Sequence, residues 1–155
     1  MIRVQEDDFD IGGEIAALRH GRTDVGAIAA FIGTVRDCAE KSAIAAMTLE
    51  HYPGMTEKEL ARIEAEARAR WPLLDVLIVH RVGRLVPGDN IVLAVTLSSH
   101  RQAAFEAAQF LMDYLKTEAP FWKSEETAKG AHWVAAREAD GEQAARWRKD
   151  HGTKT

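Results

Sequence analysis

The sequence predicts an α+β domain with a largely antiparallel sheet. Two observations lead there. First, strand-like and helix-like segments alternate without the regular rhythm of a parallel βαβ protein. Second, two runs rich in β-branched residues, Val76 to Val82 and Ile91 to Leu97, flank the tight-turn string Pro87-Gly88-Asp89-Asn90, which marks a β-hairpin. At 155 residues the chain is read as one domain, 1–155, with the residues after about 150 expected to fray.

Each element follows from local pattern. Asp10 to His20 is short and amphipathic and reads as a helix ended by Gly21. Val25 to Val35 is Ala/Ile/Val-rich and reads as a buried strand. Gly26 and Gly33 inside it suggest a bulge or a close backbone approach. Asp37 to Ser42 is polar and reads as a loop, and Ile44 to His51 as a second strand closed by the turn signal Pro53-Gly54. Thr56, with Glu59 three residues later, has the form of a capping box opening a helix that stops at Arg70, before Pro72. Leu60, Ile63 and Ala67 mark its apolar stripe. After the hairpin, Ser99 is placed to cap a helix from His100 to about Glu118, with Ala104, Ala108, Leu111 and Leu115 as its buried stripe. A strand over His132–Ala136 and a helix from about Gly141 complete the chain.

Composition excludes several function classes. The net charge of −4 lacks the basic excess of a general nucleic-acid binder. The single cysteine, Cys38, rules out an intrachain disulfide and a cysteine-rich zinc site, and suits a reducing cytosol. The N-terminal string has no basic start followed by an apolar run, so no secretory signal is expected there, and no apolar stretch approaches a membrane span. No His/Asp/Glu spacing resembles a zinc site, and no glycine pattern suits a phosphate loop or a dinucleotide. Metal and cofactor are both expected to be absent.

Cationic residues gather at chain reversals. Lys116 and Lys123 bracket Pro120-Phe121-Trp122, at and just beyond a helix end. Two solvated lysines near a helix C-terminus would satisfy the dipole. Large aromatics beside them fit a pocket wall that holds an anion against apolar surface. A lysine so placed can act as nucleophile or proton carrier, or clamp a phosphate. At the other end of the same helix, His100-Arg101 stands where backbone N–H groups attract anions and an arginine adds bidentate recognition. Gly33-Thr34-Val35-Arg36 ends a strand and offers a third cation. His51 and His80 read as ordinary core or surface histidines, and Cys38 lies in a polar stretch with no evident base to activate it. From chemistry alone this is an anion-binding pocket of lysine, arginine and histidine, with its substrate unnamed.

At these residues the chain resembles the large, catalytic subunit of molybdopterin synthase. The strings that carry the resemblance are FIGTVR at 31–36, LEHYPGMTEKEL at 49–60, HRVGRLVPGD at 80–89, SSHRQAAFEAAQFLMDYLKTEAPFWKSE at 98–125 and HWVAAR at 132–137. The resemblance implies an α/β-hammerhead fold. It implies conversion of cyclic pyranopterin monophosphate to molybdopterin by adding two dithiolene sulfurs. These arrive as a thiocarboxylate on the C-terminal Gly-Gly tail of a small ubiquitin-like subunit. The implied assembly is a heterotetramer around a central homodimer of large subunits, in the cytoplasm. The pocket implied by the family falls on Thr34, Val35, Arg36, His100, Arg101, Lys116, Lys123, Ser124 and Glu125. Phe31 and Met112 fall near it, and Arg137 matches an arginine that reaches the other protomer's site. Lys116 is the principal catalytic lysine on this reading, and Lys123 assists. Ser124 stands where the family more often has a basic residue, and the loop Cys38–Ser42 lacks the expected Asn/Gly character. Two alternatives belong to other classes: a non-catalytic scaffold that docks a ubiquitin-like partner, and a persulfide sulfurtransferase with Cys38 as carrier. The scaffold has no need of both lysines; the sulfurtransferase needs an activated thiol.

Overall fold

The computed structural model describes residues 1–37, 45–127, 130–134 and 138–148. The whole loop Cys38–Ser42, Arg137 and the expected frayed tail lie outside them. In chain order the elements are β1 (Ile2–Gln5), α1 (Ile11–Arg19), β2 (Ala27–Thr34), β3 (Ala46–His51), α2 (Met55–Arg70), β4 (Leu73–Arg81), β5 (Gly83–Leu85), β6 (Asn90–Ser98), α3 (Arg101–Glu118), β7 (Phe121–Thr127), β8 (Gly130–Val134) and α4 (Glu138–Arg148). The α+β class is as expected, but the strands form two sheets, ordered β1-β4-β6-β2 and β5-β3-β7-β8. Every pairing is antiparallel except β1 on β4.

The first sheet is covered on both faces, which explains why its central strands read as unbroken apolar runs. Along β4, Val76 and Ile78 face α2 and α3, packing with Leu60, Ile63, Phe110 and Leu111. Leu77 and Val79 face the other way, with Leu93 and Val95 of β6, under Phe9 and α1. The hairpin β4–β6 forms as expected, and its register sets Ile78 opposite Ala94. Its connection is longer than a turn because β5 leaves to join the second sheet, pairing Leu85 with Met47. The C-terminal helix docks through Trp147, which packs edge-on against Trp71 and Phe110 and donates Nε1–H to the buried Asp113 at 2.6 Å. No helix among the described residues is long and apolar enough to cross a membrane.

Two capping expectations fail. The second helix opens at Gly54, whose φ of 84° suits glycine, and Glu57 accepts the Gly54 N–H at 2.7 Å. Thr56 lies inside the first turn, its hydroxyl donated back to the Tyr52 carbonyl at 2.9 Å. Glu59 pairs instead with Arg62. At α3 the N-cap is His100, not Ser99, and no side chain caps the helix there. Three strands were not foreseen: β1, β5 and β7. The last is the correction that matters for the site, because the Pro-Phe-Trp-Lys segment becomes a strand rather than a helix-end loop.

Candidate active site

Lys116 sits in the last turn of α3, exposed, one helical turn beyond the buried Met112. Pro120 then stops the helix, and β7 begins at Phe121. Strand alternation divides the residues that follow. In the antiparallel ladder with β3, Phe121, Lys123 and Glu125 oppose His51, Leu49 and Met47. Met47 and Leu49 are buried, so this is the inner face. Trp122 and Ser124 oppose Glu50 and Thr48 on the outer face. Trp122 is exposed and therefore does not stand between the two lysines; only Phe121 lies on their side. Lys123 pairs with Glu125 at 3.5 Å, two residues on along that face.

Two histidines complete this end of the molecule. His80, at the end of β4, stacks on Phe121 with centroids 3.8 Å apart and planes 15° from parallel. His51, on β3, is tilted against the same ring at 6.3 Å. His51 Nδ1 is 3.1 Å from the Thr56 hydroxyl, which also contacts the Tyr52 carbonyl and ties the β3 end to the first turn of α2. Sequence reasoning treated both histidines as ordinary. Nothing in their spacing signals a shared aromatic partner forty or more positions away.

His80 is buried, and burial pushes its pKa down from 6.5 to about 4. The bond to the Arg81 carbonyl at 2.8 Å opposes that shift, while the charges of His51 and Lys116 add to it. The folded protein refuses a proton that the unfolded chain accepts. The stability due to this neutral ring is full above about pH 6.5 and is lost as the pH falls towards 4. The loss between pH 7 and pH 5 is about 2 kcal/mol. The urea midpoint of the wild-type chain should fall accordingly over that interval. The His80→Phe variant should lose part of the slope, and an equally steep fall there would refute the buried neutral state.

Thr34, Val35 and Arg36 reach the same end of the fold. The first sheet brings the end of β2 beside the start of β6, with Thr34 opposite Asn90. Val35 is buried with Met47, Leu49 and Leu85, and its backbone is bonded to Asp89 and Gly88 at 2.9 and 2.8 Å. Thr34 and Arg36 are exposed on either side of it. Phe31, further back on β2, is partly exposed opposite Ala94.

His100 and Arg101 do not join this group within one chain. They open α3, and Lys116 lies fifteen residues along it, about 22 Å at 1.5 Å per residue. There they line an open depression of about 510 Å³ with Gln102, Phe105 and Glu106. The Glu106 carboxylate accepts from Gln102 Nε2 at 3.0 Å and Trp71 Nε1 at 2.8 Å, which hold its pKa below the usual carboxylate value. This depression is therefore cationic on one wall and anionic on the other.

Residues 4–118 match the family model described as MoaE protein. The chain belongs to the MoaE family. The match ends at Glu118, so it takes in Lys116 and stops short of Lys123. Longer agreement comes from individual MoaE relatives. The molybdopterin synthase catalytic subunit of Ralstonia nicotianae is 61% identical over 146 residues, 94% of this chain and 83% of that protein. A MoaE protein structure from Burkholderia ambifaria superposes with a TM-score of 0.82 at 58% identity, covering 96% of this chain and 97% of the other. A crystal structure of molybdopterin synthase from Staphylococcus aureus gives a TM-score of 0.79 at 29% identity, covering 86% and 96%. The two-sheet architecture is thus that of MoaE proteins.

Proposed function

We propose that this chain is the catalytic subunit of a molybdopterin synthase. It converts cyclic pyranopterin monophosphate to molybdopterin, taking two dithiolene sulfurs from the C-terminal thiocarboxylate of a small ubiquitin-like subunit. The observation that carries the reading is the convergence at one end of the fold. Lys116 ends α3, Lys123 leaves the inner face of β7, and Arg36 follows β2. Both reactants are anionic, one through its phosphate and the other through its thiocarboxylate, and cations at a partly apolar wall suit them. Lys116 activates the substrate or the partner carbonyl, and Lys123 holds the anionic tail. Glu125, paired with Lys123, sets the position of that ammonium. Ser124 faces outward, so its side chain contributes least.

Arg36, His100 and Arg101 bind the phosphate and the pterin oxygens. Since Arg101 and Lys116 of one chain are about 22 Å apart along α3, one substrate meets both only when they come from two chains. A homodimer of this chain, carrying one small subunit at each end, supplies that arrangement, and Arg137 is assigned to the same shared site. The assembly is placed in the cytoplasm, where a chain with one thiol has no need of an oxidising compartment.

Reconstitution tests the whole reading. The purified chain, a thiocarboxylated small subunit and the cyclic pterin should together yield molybdopterin, and absence of product with all three present would sink it. The same assay separates the persulfide alternative. Cys38→Ser should keep full activity, because the sulfur arrives on the partner. Loss of sulfur transfer with fold and partner binding intact would revive Cys38 as carrier.

A further inference from the structure

Five polar side chains are buried among the described residues: Thr56, His80, Thr96, Ser98 and Asp113. Four of them reach another segment through hydrogen bonds. Thr96 Oγ1 donates to the Ala104 carbonyl at 2.7 Å, and Ser98 Oγ to that of Pro72 at 3.0 Å. Asp113 accepts from Trp147, and Thr56 joins the first turn of α2 to Tyr52 and His51. His80 is built differently. Its Nδ1–H goes to the carbonyl of its own neighbour, Arg81, which fixes the tilt of the ring without joining two elements. What reaches across is the face of the ring, lying flat on Phe121.

That stack sits at a structural joint. His80 is the penultimate residue of β4 in the first sheet, and Phe121 opens β7 in the second. Phe121 follows the helix-stopping Pro120, and its N–H closes a tight turn onto the Ala119 carbonyl at 2.8 Å. Lys123 is two residues on, on the same face of the strand. Lys116, at the end of α3, is near enough for its charge to bear on the His80 ring.

We propose that His80 is a positioning residue for the lysine pair: its locked ring is the bed that sets Phe121, and through it the start of β7 and the placement of Lys123 relative to Lys116. This rests on the reading of the two lysines as the working groups. A flexible aliphatic side chain would fill the space without defining a plane. A charged one would set a third positive charge beside the lysines; burial keeps the His80 ring neutral near pH 7.

Two variants test it, each assembled with the small subunit. His80→Gln keeps an amide N–H for the Arg81 carbonyl but has no ring. His80→Phe has a ring and no charge. The Gln variant should lose about tenfold or more in kcat, with KM for the cyclic pterin near the wild-type value, since misplacing a reacting group by about an ångström has effects of that order. The Phe variant should recover most of that loss. A second readout does not need turnover: reductive methylation of Lys123, mapped by mass spectrometry against the exposed Lys58. Lys123 reactivity should change in the Gln variant and return to the wild-type value in the Phe variant. Wild-type kcat and Lys123 reactivity in the Gln variant would overturn the proposal, as would a Phe variant no better than Gln. If the wild-type assembly makes no molybdopterin, the functional reading fails, and the Lys123 reactivities still decide the role of His80.

Discussion

Lys116→Ala should abolish most molybdopterin formation, a fall of about a hundredfold or more, while the small subunit still binds. The size of the effect follows from position. Lys116 is the last basic residue of α3 and stands where the helix hands over to β7. The fold should hardly notice the change. The side chain is exposed, and the favourable charge it places at the helix C-terminus accounts for roughly 0.3–1 kcal/mol. The melting temperature and the dissociation constant for the small subunit should therefore stay near wild type while product formation collapses. Turnover within a few-fold of wild type would remove Lys116 from the chemistry. Lys123→Ala should be impaired less severely, since its role is to hold the anionic tail.

Among the described glycines, Gly26→Ala should be the most damaging. A Cβ at Gly26 would lie 2.0 Å from the Ser99 carbonyl oxygen, a backbone atom that no rotamer change can move. The Gly26 N–H is bonded to the Ser98 carbonyl at 3.0 Å, so the two backbones are held together where the clash occurs. Relief requires β2 to part from the end of β6, and the cost is about 3 kcal/mol or more. The shift also falls on the residues immediately before His100 and Arg101. A lower melting temperature should thus be joined by weaker binding of the cyclic pterin in calorimetry. Wild-type stability in this variant would show that the junction has slack.

The contrast between these two residues shows what was legible in the sequence. Gly26 reads from sequence as either a bulge or a close backbone approach, because glycine is otherwise a poor choice in an apolar run. The structure sets it just before β2 and decides for the close approach. The stripe on α3 and the β4–β6 hairpin were legible because their periods and turn residues are local. What escaped depends on distant pairing. Phe-Trp-Lys-Ser-Glu-Glu-Thr has little strand character, and β7 exists because β3 offers it a ladder. Ile2–Gln5 is too short to announce itself without β4 beside it. The Thr56/Glu59 pattern misled for a subtler reason. The helix opens two residues earlier at Gly54, which has no side chain to cap with, and only the Glu57 carboxylate accepting the Gly54 N–H resembles a capping box. In the candidate site, Lys116 could be placed from sequence because helix geometry is local. The face from which Lys123 projects could not, nor could the stack of His80 on Phe121.

The ladder joining β3 to β7 carries a consequence for how the protein matures. Leu49 and Lys123 are partners across almost half the chain, so their pairing closes one of the longest loops in the fold. Lys116 needs only its own helix, which forms from neighbouring residues. The two lysines are therefore placed by different kinds of contact: one by local helix geometry, the other by a long-range strand pairing. A chain in which β3 and β7 have not paired holds Lys116 on its helix but does not fix Lys123. If the two lysines work as proposed, that chain carries no competent site.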